Sequence, residues 1–248
     1  EYFINLVYLN CSNTDIEYIS ENLIKLKILN CNNTKLFELP ETLINLEYLD
    51  CSNTKIKFLS YKFSKLKYLK CKNTLINILP STYNKLLLLN CSKCLITYIS
   101  PKYNKLNYLD CSFNKIKYIS FKLNNLLHLD ISNTQISNLY LTKLIYLNIS
   151  NTKIKNINNK LTKLKTLICY NINIKSLPLE LYNLKKIYPM KLNKLNINNF
   201  IHYIDMNIFY KKYLNKQDDE YEILLERDIA FHNVHLIGIL ETQTFKNY

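Results

Sequence analysis

The eight cysteines carry the most obvious chemistry in this chain, since thiolates bind zinc and thiols form disulfides. One position of a repeat holds seven of them, and two further repeats place Ile131 and Ile149 there. A position that isoleucine can occupy is a packing position, where free cysteine behaves as a small buried hydrophobe. We therefore predict a buried, reduced, structural column. It comprises Cys11, Cys31, Cys51, Cys71, Cys91, Cys111 and Cys169.

Other residues with catalytic or metal-binding potential lack the partners that such sites need. Cys91 and Cys94 have the spacing of half a zinc site, but no second pair follows. His232 and His235 lie near acidic residues, without a third group to position them. The single glycine, Gly238, excludes a glycine-rich phosphate loop. We predict no catalytic residue, no metal and no cofactor, and hence a protein that is not an enzyme.

Composition and charge narrow the class of protein further. The net charge is +14, with +15 in residues 1–189 and −1 in residues 190–248. The abundant Lys, Asn, Ile and Tyr are residues that AT-rich codons encode, so we interpret the lysines as a solvated surface. No apolar run reaches the ~20 residues of a membrane span, and no secretory signal opens the chain. A thiol-filled core favours a reducing, intracellular compartment, the cytoplasm of a host cell included.

A repeat with a fixed period organises most of the sequence. Cys-Ser-Asn-Thr begins at Cys11, and related tetrads follow every 20 residues, with one step of 18 between Ile131 and Ile149. That step falls at Leu139-Tyr140-Leu141, where a longer link is due. We expect it to shorten the back of one coil and to leave the strand intact. One unit reads Leu46-x-x-Leu49-x-Cys51-x-x-Thr54-x-Ile56-x-x-Leu59-Ser60-x-x-Phe63-x-x-Leu66.

The spacing inside one unit predicts a short strand followed by a return segment. Leu49 and Cys51 are two residues apart, so both point to the same side of a strand. Ile56, Leu59 and Phe63 close the coil behind them. One coil cannot bury this set alone, so stacked neighbours must make the core continuous.

This unit resembles the leucine-rich repeat, whose defining segment is L-x-x-L-x-L-x-x-N/C-x-L. The match recurs nine times across residues 6–178. It is similar to the short, twenty-residue bacterial and viral type, and its composition is similar to that of leucine-rich-repeat proteins from large DNA viruses with AT-rich genomes. The resemblance implies an α/β solenoid, an arc with a parallel β-sheet on the concave face. It further implies extended or 3₁₀ segments on the convex side and a small C-terminal cap.

Two regions follow from where the repeat ends. We assign residues 1–189 to a solenoid of about nine coils whose N-terminal cap is missing, because the repeat already runs at Leu6 and decays after Leu184. Residues 190–248 read as a partly helical cap or extension, with a helix expected from Asp219 to Ala230. Such a cap would cover the last coil, and a docking module for a second partner is the alternative.

One position departs from the family pattern. The residue that is usually Asn, whose amide bonds to neighbouring backbone groups, is mostly Thr here. A hydroxyl offers fewer donors than an amide. Cys94 and Ile172 offer almost none, so we expect looser loops in coils five and nine.

Residues that alternate with the core Leu and Cys point outward from the predicted sheet. Five of the nine positions in one such column are Tyr, although 21 Tyr in 248 residues would place fewer than one there by chance. Tyr offers a large contact area with few rotatable bonds, as binding surfaces favour. The next column is polar and includes three Asp. We predict a partner-binding site at Tyr8, Tyr48, Asp50, Tyr68, Tyr108, Asp110, His128, Asp130 and Tyr146.

Several functions stay open at this point. The main hypothesis is a monomeric module that holds a protein partner on the concave face. The tyrosines could equally stabilise the sheet by stacking on one another. A second hypothesis is the substrate arm of a larger enzyme, similar to bacterial effector ubiquitin ligases, although no Cys follows Cys169 to act as their nucleophile. A third is binding of nucleic acid or an anionic surface through flanking lysines, which the Asp-bearing face disfavours.

Overall fold

The computed structural model describes residues 3–172, 174 and 177–188. In these residues, ten three-residue strands pair in parallel and in chain order to form one sheet. We number the coils by their strands; ten strands enclose about nine turns of the solenoid, as expected. The strands are β1 (Tyr8–Asn10), β2 (Ile28–Asn30), β3 (Tyr48–Asp50), β4 (Tyr68–Lys70), β5 (Leu88–Asn90), β6 (Tyr108–Asp110), β7 (His128–Asp130), β8 (Tyr146–Asn148), β9 (Thr166–Ile168) and β10 (Lys186–Tyr188).

Equal positions of successive repeats stand beside one another across the sheet. Leu49 pairs with Leu69, and Tyr48 pairs with Tyr68. The short step keeps this register, since His128 pairs with Tyr146. The back of that coil lacks the turns found in its neighbours, so the two missing residues come from there, as the sequence predicts.

The core consists of the inward leucines and cysteines. The central leucines of β2 to β7 are 0% exposed, and so are the five column cysteines from Cys31 to Cys111. Burial raises the pKa of four of these thiols well above the ordinary range. The pKa of Cys71 is raised first by its hydrogen bond with Cys94 and then by burial. The prediction of a buried cysteine column is therefore confirmed for six of its seven members, whereas Cys11 in the first coil is only half-buried. Among the described residues, no three His, Cys, Asp or Glu side chains gather as metal ligands would.

The back of each coil is built from extended segments and turns. In coil three, the Phe63 N–H donates to Ser60 O at 3.2 Å, and the Leu66 N–H donates to Phe63 O at 3.2 Å. These turns do not overlap into a helix, and the described residues contain neither α-helix nor 3₁₀ helix. This part of the chain is therefore a β-solenoid rather than the α/β solenoid expected. A twenty-residue coil with a three-residue strand leaves room for turns alone.

Two buried tyrosines close the middle coils from the back. Tyr83 and Tyr103 are 0% exposed and occupy the position of Phe63 in their own coils. Their hydroxyls donate to Ser60 O at 2.7 Å and to Pro80 O at 2.9 Å, each in the preceding coil. The hydroxyls thereby satisfy backbone carbonyls that burial would leave unpaired.

The turn after each strand contains a left-handed residue. Seven of the nine such residues are Asn, with φ between 52° and 58°. Asn tolerates this conformation better than most residues. In the first coils their amides also form a ladder, in which Asn33, Asn53 and Asn73 each donate to the Asn one coil earlier at 2.7 to 2.9 Å. The third residue of each tetrad signals this ladder, which our sequence analysis did not identify.

The expectation of a loose loop in coil five was wrong. The Cys94 thiol donates to Cys71 O at 3.0 Å and contacts the Thr74 hydroxyl at 3.3 Å. It therefore links coil five to coil four, whereas Thr34 bonds only to Cys31 O of its own coil. A thiol does here part of what the longer amide of Asn114 does in the next coil.

The expected C-terminal cap, its helix, His232 and His235 lie outside the described residues. In the part of the chain that is described, no helix is long and apolar enough to cross a membrane.

Candidate functional site

The nine predicted site residues all lie on the outer face of the sheet, opposite the core leucines. Tyr8 on the edge strand β1 is 55% exposed. The other four tyrosines and His128 are half-buried, because each ring lies against its neighbours across the strands. The structure therefore places all six rings of the column on one face, as predicted.

The rings fall into two groups. Tyr48 and Tyr68 contact each other loosely, with centroids 6.5 Å apart and planes tilted by 38°. Tyr108, His128 and Tyr146 form a tight stack, with centroid distances of 4.3 Å and 3.9 Å and interplanar angles of 13° and 4°. Leu88 is 5% exposed and separates the two groups. We call the tight group the aromatic stack.

The polar column beside the rings shapes the turns that follow the strands. The Oδ1 atom of Asp50 accepts the Ser52 N–H at 3.1 Å. Asn90 does the same for Ser92 at 3.1 Å. This side-chain bond to the backbone two residues ahead is the local turn that Asx residues favour. Because Asn makes the turn as well as Asp, the turn requires an oxygen and not a charge. The Asx-x-Ser spacing could have revealed this role from the sequence.

Two carboxyl groups of this column stand side by side. Asp110 and Asp130 are register partners on β6 and β7. Asp130 Oδ1 accepts from Ser132 N at 2.8 Å and Oγ at 2.7 Å, and Asp130 Oδ2 accepts from Asn148 Nδ2 at 2.9 Å. Asp110 Oδ1 accepts from Ser112 N at 3.1 Å and Oγ at 2.7 Å. We call these two residues the carboxyl pair.

Burial and mutual repulsion make the carboxyl pair hard to ionise fully. Burial, followed by the charge of Asp110, raises the pKa of Asp130 to about 7 against the hydrogen bonds that it accepts. Burial also raises the pKa of Asp110, although hydrogen bonds from Ser112 and the charge of Lys72 oppose this. Asp50 differs in its setting, since its register partner is Lys70.

The aromatic stack contains a buried polar atom. In the described part of the chain, the Tyr146 hydroxyl oxygen has no hydrogen-bond partner although it is shielded from solvent. Burial, then the charge of Asp130, raises the pKa of Tyr146. The Tyr146 phenol is therefore neutral at physiological pH and could still donate one hydrogen bond.

The fold and this surface define a leucine-rich-repeat solenoid. The solved structures that share the fold include the functional domain of InlJ from Listeria monocytogenes, which includes a cysteine ladder, at 23% identity and a TM-score of 0.66. The match covers 79% of this chain and 52% of that one. An internalin (inlF) from the same organism matches at 24% identity and a TM-score of 0.68, over 82% of this chain and 69% of that one.

A third similar structure is YopM, a leucine-rich effector protein from Yersinia pestis. It matches at 24% identity and a TM-score of 0.68, over 75% of this chain and 55% of that one. The chain thus spans a little over half the length of InlJ and YopM. No protein-family model matches the sequence, and the comparison with curated proteins finds no relative. The structural neighbours therefore identify the fold.

Proposed function

We propose that this chain is a non-catalytic protein-interaction module that holds a protein partner on the outer face of its sheet. The observation that carries the proposal is the column of five tyrosines and His128 along that face. Half-buried tyrosines lose little rotamer freedom on binding and offer both apolar area and a polar tip. The occurrence of the fold in internalins and in a leucine-rich effector supports such a role.

The two groups of rings differ in what they contribute, one mainly to the stability of the sheet and the other mainly to contact with the partner. The aromatic stack is close enough to stabilise the sheet by itself, since its rings are within the range of offset stacking. Tyr48 and Tyr68 are farther apart and tilted, so their faces have less contact with each other. We therefore assign the greater share of partner contact to Tyr48 and Tyr68.

The test is capture of the partner from an extract of the native cell or its host by variants of this pair. Tyr48→Ala with Tyr68→Ala should weaken capture by roughly 30-fold or more, the range expected when central aromatic anchors are lost. The thermal melting curve should shift little. The matched control is Tyr18→Ala with Phe58→Ala, which removes two rings that are 81% and 71% exposed on the return segments.

Three outcomes would contradict the proposal. Unchanged capture by the Tyr48 and Tyr68 variant would remove the site from this face. If the control with Tyr18→Ala and Phe58→Ala weakens partner capture equally, the loss is not specific to rings on the outer face of the sheet. Binding to random duplex DNA that weakens steeply with salt would move the function to the flanking lysines.

A further inference from the structure

We infer that coils three to six carry a surface that binds an anionic lipid bilayer, on the segment that follows the turn after each strand. We call this surface the flank strip. It comprises Lys55, Lys57 and Phe58 of coil three and the residues at the same positions in the next three coils. These residues lie beyond the strands and their turns, away from the outer face of the sheet. The inference therefore goes beyond the proposed function.

The flank strip contains six apolar side chains that are open to solvent. They are between 45% and 71% exposed, whereas the neighbouring Ile56 and Leu59 are buried. The six are Phe58, Leu75, Ile78, Leu95, Tyr98 and Tyr118. The fold does not require them, because coil seven fills the same three positions with exposed Gln135, Ser137 and Asn138. A group of exposed apolar side chains rimmed by polar residues marks a protein or membrane contact.

These side chains form one surface because hydrogen bonds join the same positions of successive coils. The Leu75 N–H donates to Ile56 O of coil three at 3.0 Å. Farther along the flank strip, the rings of Tyr98 and Tyr118 meet edge to face with centroids 5.9 Å apart. The apolar groups are therefore adjacent across four coils and are not scattered singly.

The charge around the apolar groups has a single sign. Exposed lysines occupy both ends of the flank strip, Lys55 and Lys57 in coil three and Lys115 and Lys117 in coil six. Residues 51–179 contain 21 lysines but only two acids, Asp110 and Asp130. Both acids lie on strands, on the outer face of the sheet. What binds the flank strip must therefore be anionic and must also accept apolar side chains.

The turns beside the flank strip depart from the repeat in coils five and six. Seven of the nine left-handed residues are Asn, but Lys93 and Phe113 adopt this conformation at a φ of 53°. A bulky side chain is disfavoured there. The Phe113 ring is 51% exposed two residues before Lys115, and the Lys93 Nζ atom lies 5.4 Å from its centroid. These two turns thus add an exposed ring and a cation next to the flank strip.

An anionic bilayer matches these features better than a protein or a nucleic acid does. Aromatic and aliphatic side chains insert at the boundary of headgroups and acyl chains, and the long stems of lysines keep their ammonium groups among the headgroups. Anionic headgroups attract lysines held near them. A bilayer accepts projecting side chains anywhere, whereas a protein partner must supply a pocket for each. Leu75, Ile78 and Leu95 have no ring on which a nucleic-acid base could stack.

The test is flotation of the full chain with vesicles of phosphatidylcholine, alone or with about 30% phosphatidylserine. Binding should require phosphatidylserine and weaken with salt. Phe58→Ser with Ile78→Ser should weaken binding to the anionic vesicles by roughly tenfold or more, because two apolar groups no longer insert. Both side chains are at least 70% exposed, so the melting curve should stay unchanged.

The matched control is Tyr18→Ser with Phe37→Ser, which should leave vesicle binding unchanged. It removes two exposed rings from the same segment of coils one and two, where Glu17 and Glu38 stand beside them. Loss of exposed apolar area is thereby separated from loss of the flank strip.

A second pair of variants tests the position of the charge. Lys57→Gln with Lys117→Gln should weaken binding by roughly 20-fold, because each lysine near an anionic surface contributes about fivefold. Lys165→Gln with Lys185→Gln lowers the net charge equally, but these exposed lysines precede β9 and β10. This control should weaken binding clearly less.

Equal binding to the two kinds of vesicle, or equal loss in either control, would overturn the inference. So would unchanged binding of Phe58→Ser with Ile78→Ser, since the chain would then adsorb through its overall charge. If that variant loses binding to poly-glutamate or to a single-stranded RNA as strongly as to vesicles, the flank strip serves a protein or a nucleic acid instead.

The outcome is independent of the proposed function. Tyr48→Ala with Tyr68→Ala should float with vesicles like the unchanged chain, because these rings lie on the outer face of the sheet. In an extract cleared of membranes the flank strip takes no part in partner capture, so Phe58→Ala still serves in the control there.

Discussion

At the scale of single residues, the polar column of the sheet has two separate features. Its side-chain oxygens shape the turns after the strands, and some of its members carry a negative charge. The side-chain oxygens of Asn90, Asp110 and Asp130 all accept the backbone N–H two residues ahead. The turn therefore explains why the column is polar, but it does not explain why particular members are acidic. Where two acids meet at Asp110 and Asp130, burial and proximity raise their pKa values above the ordinary range. These raised pKa values make the folding stability depend on pH.

We predict that Asp130 makes the chain less stable as pH rises. Its pKa is raised from the model-peptide value of 3.8 to about 7 in the folded state, so between these values the folded state holds more protons than the unfolded state. The free energy of unfolding must then fall as pH rises from about 4 to about 7. Asp130→Asn cannot ionise and should flatten this slope. Urea unfolding across that pH range measures it.

The readout is the slope and not the absolute stability, because Asn at position 130 changes the contact with the Asn148 amide. Identical slopes for the two proteins would show that Asp130 ionises in the folded chain as easily as in water.

At the scale of the structural element, side chains in the turn after each strand form hydrogen bonds within their own coil, and some also bond to the preceding coil. Asn114 Nδ2 donates to Cys91 O of coil five at 2.8 Å and to Cys111 O of its own coil at 3.1 Å. Asn114 Oδ1 accepts the Ile96 N–H at 2.9 Å. Thr134 makes a single bond, to Ile131 O of its own coil at 2.6 Å. The amide therefore joins two coils, whereas the hydroxyl closes one.

We predict that Asn114→Ala lowers the free energy of unfolding by about 1–3 kcal/mol, since it leaves the buried Ile96 N–H and three carbonyls without this partner. Thr134→Ala, its matched control, should cost about 1 kcal/mol at most. Chemical denaturation of both variants gives the comparison. A cost for Thr134→Ala equal to that for Asn114→Ala would mean that links between coils contribute no more than bonds within one.

At the scale of the whole solenoid, the described coils form a one-dimensional stack in which each strand pairs with the strands before and after it. Leu69 of β4 is 0% exposed between β3 and β5. Leu9 occupies the same position in β1 but is half-buried, because in the described chain only β2 pairs with its strand. Stability in such a stack is a sum over coils and their interfaces.

We predict that Leu69→Ala costs about 2–5 kcal/mol, the range for a fully buried leucine, and that Leu9→Ala costs clearly less. The end coil can fray without exposing the rest of the core, whereas coil four has neighbours on both sides. Thermal or urea unfolding, with hydrogen exchange on the strand amides, distinguishes local fraying from global loss. Equal costs for the two variants would argue against a one-dimensional stack.

The sequence by itself determined the period, the strands and their two faces. Twenty-residue spacing puts equal positions in register, and the alternation along a strand then sends Leu and Cys inward and Tyr and Asp outward. For this reason the column cysteines from Cys31 onward lie in the core and the nine residues of the predicted site lie on the opposite face, while their binding of a partner stays a prediction. The expected back of extended or 3₁₀ segments is found as extended chain with isolated turns, while the α/β class is not found in the described residues, because a twenty-residue coil leaves no room for a helix.

Only the tertiary structure decided which neighbours touch. Tyr48 and Tyr68 have the same register relation as His128 and Tyr146, yet the first pair is tilted at 6.5 Å and the second is stacked at 3.9 Å. Ring orientation depends on rotamers and on the size of the adjoining side chains, such as Leu88, and spacing along the chain does not encode these. The carboxyl pair and its raised pKa values likewise exist because folding buries Asp110 and Asp130 side by side.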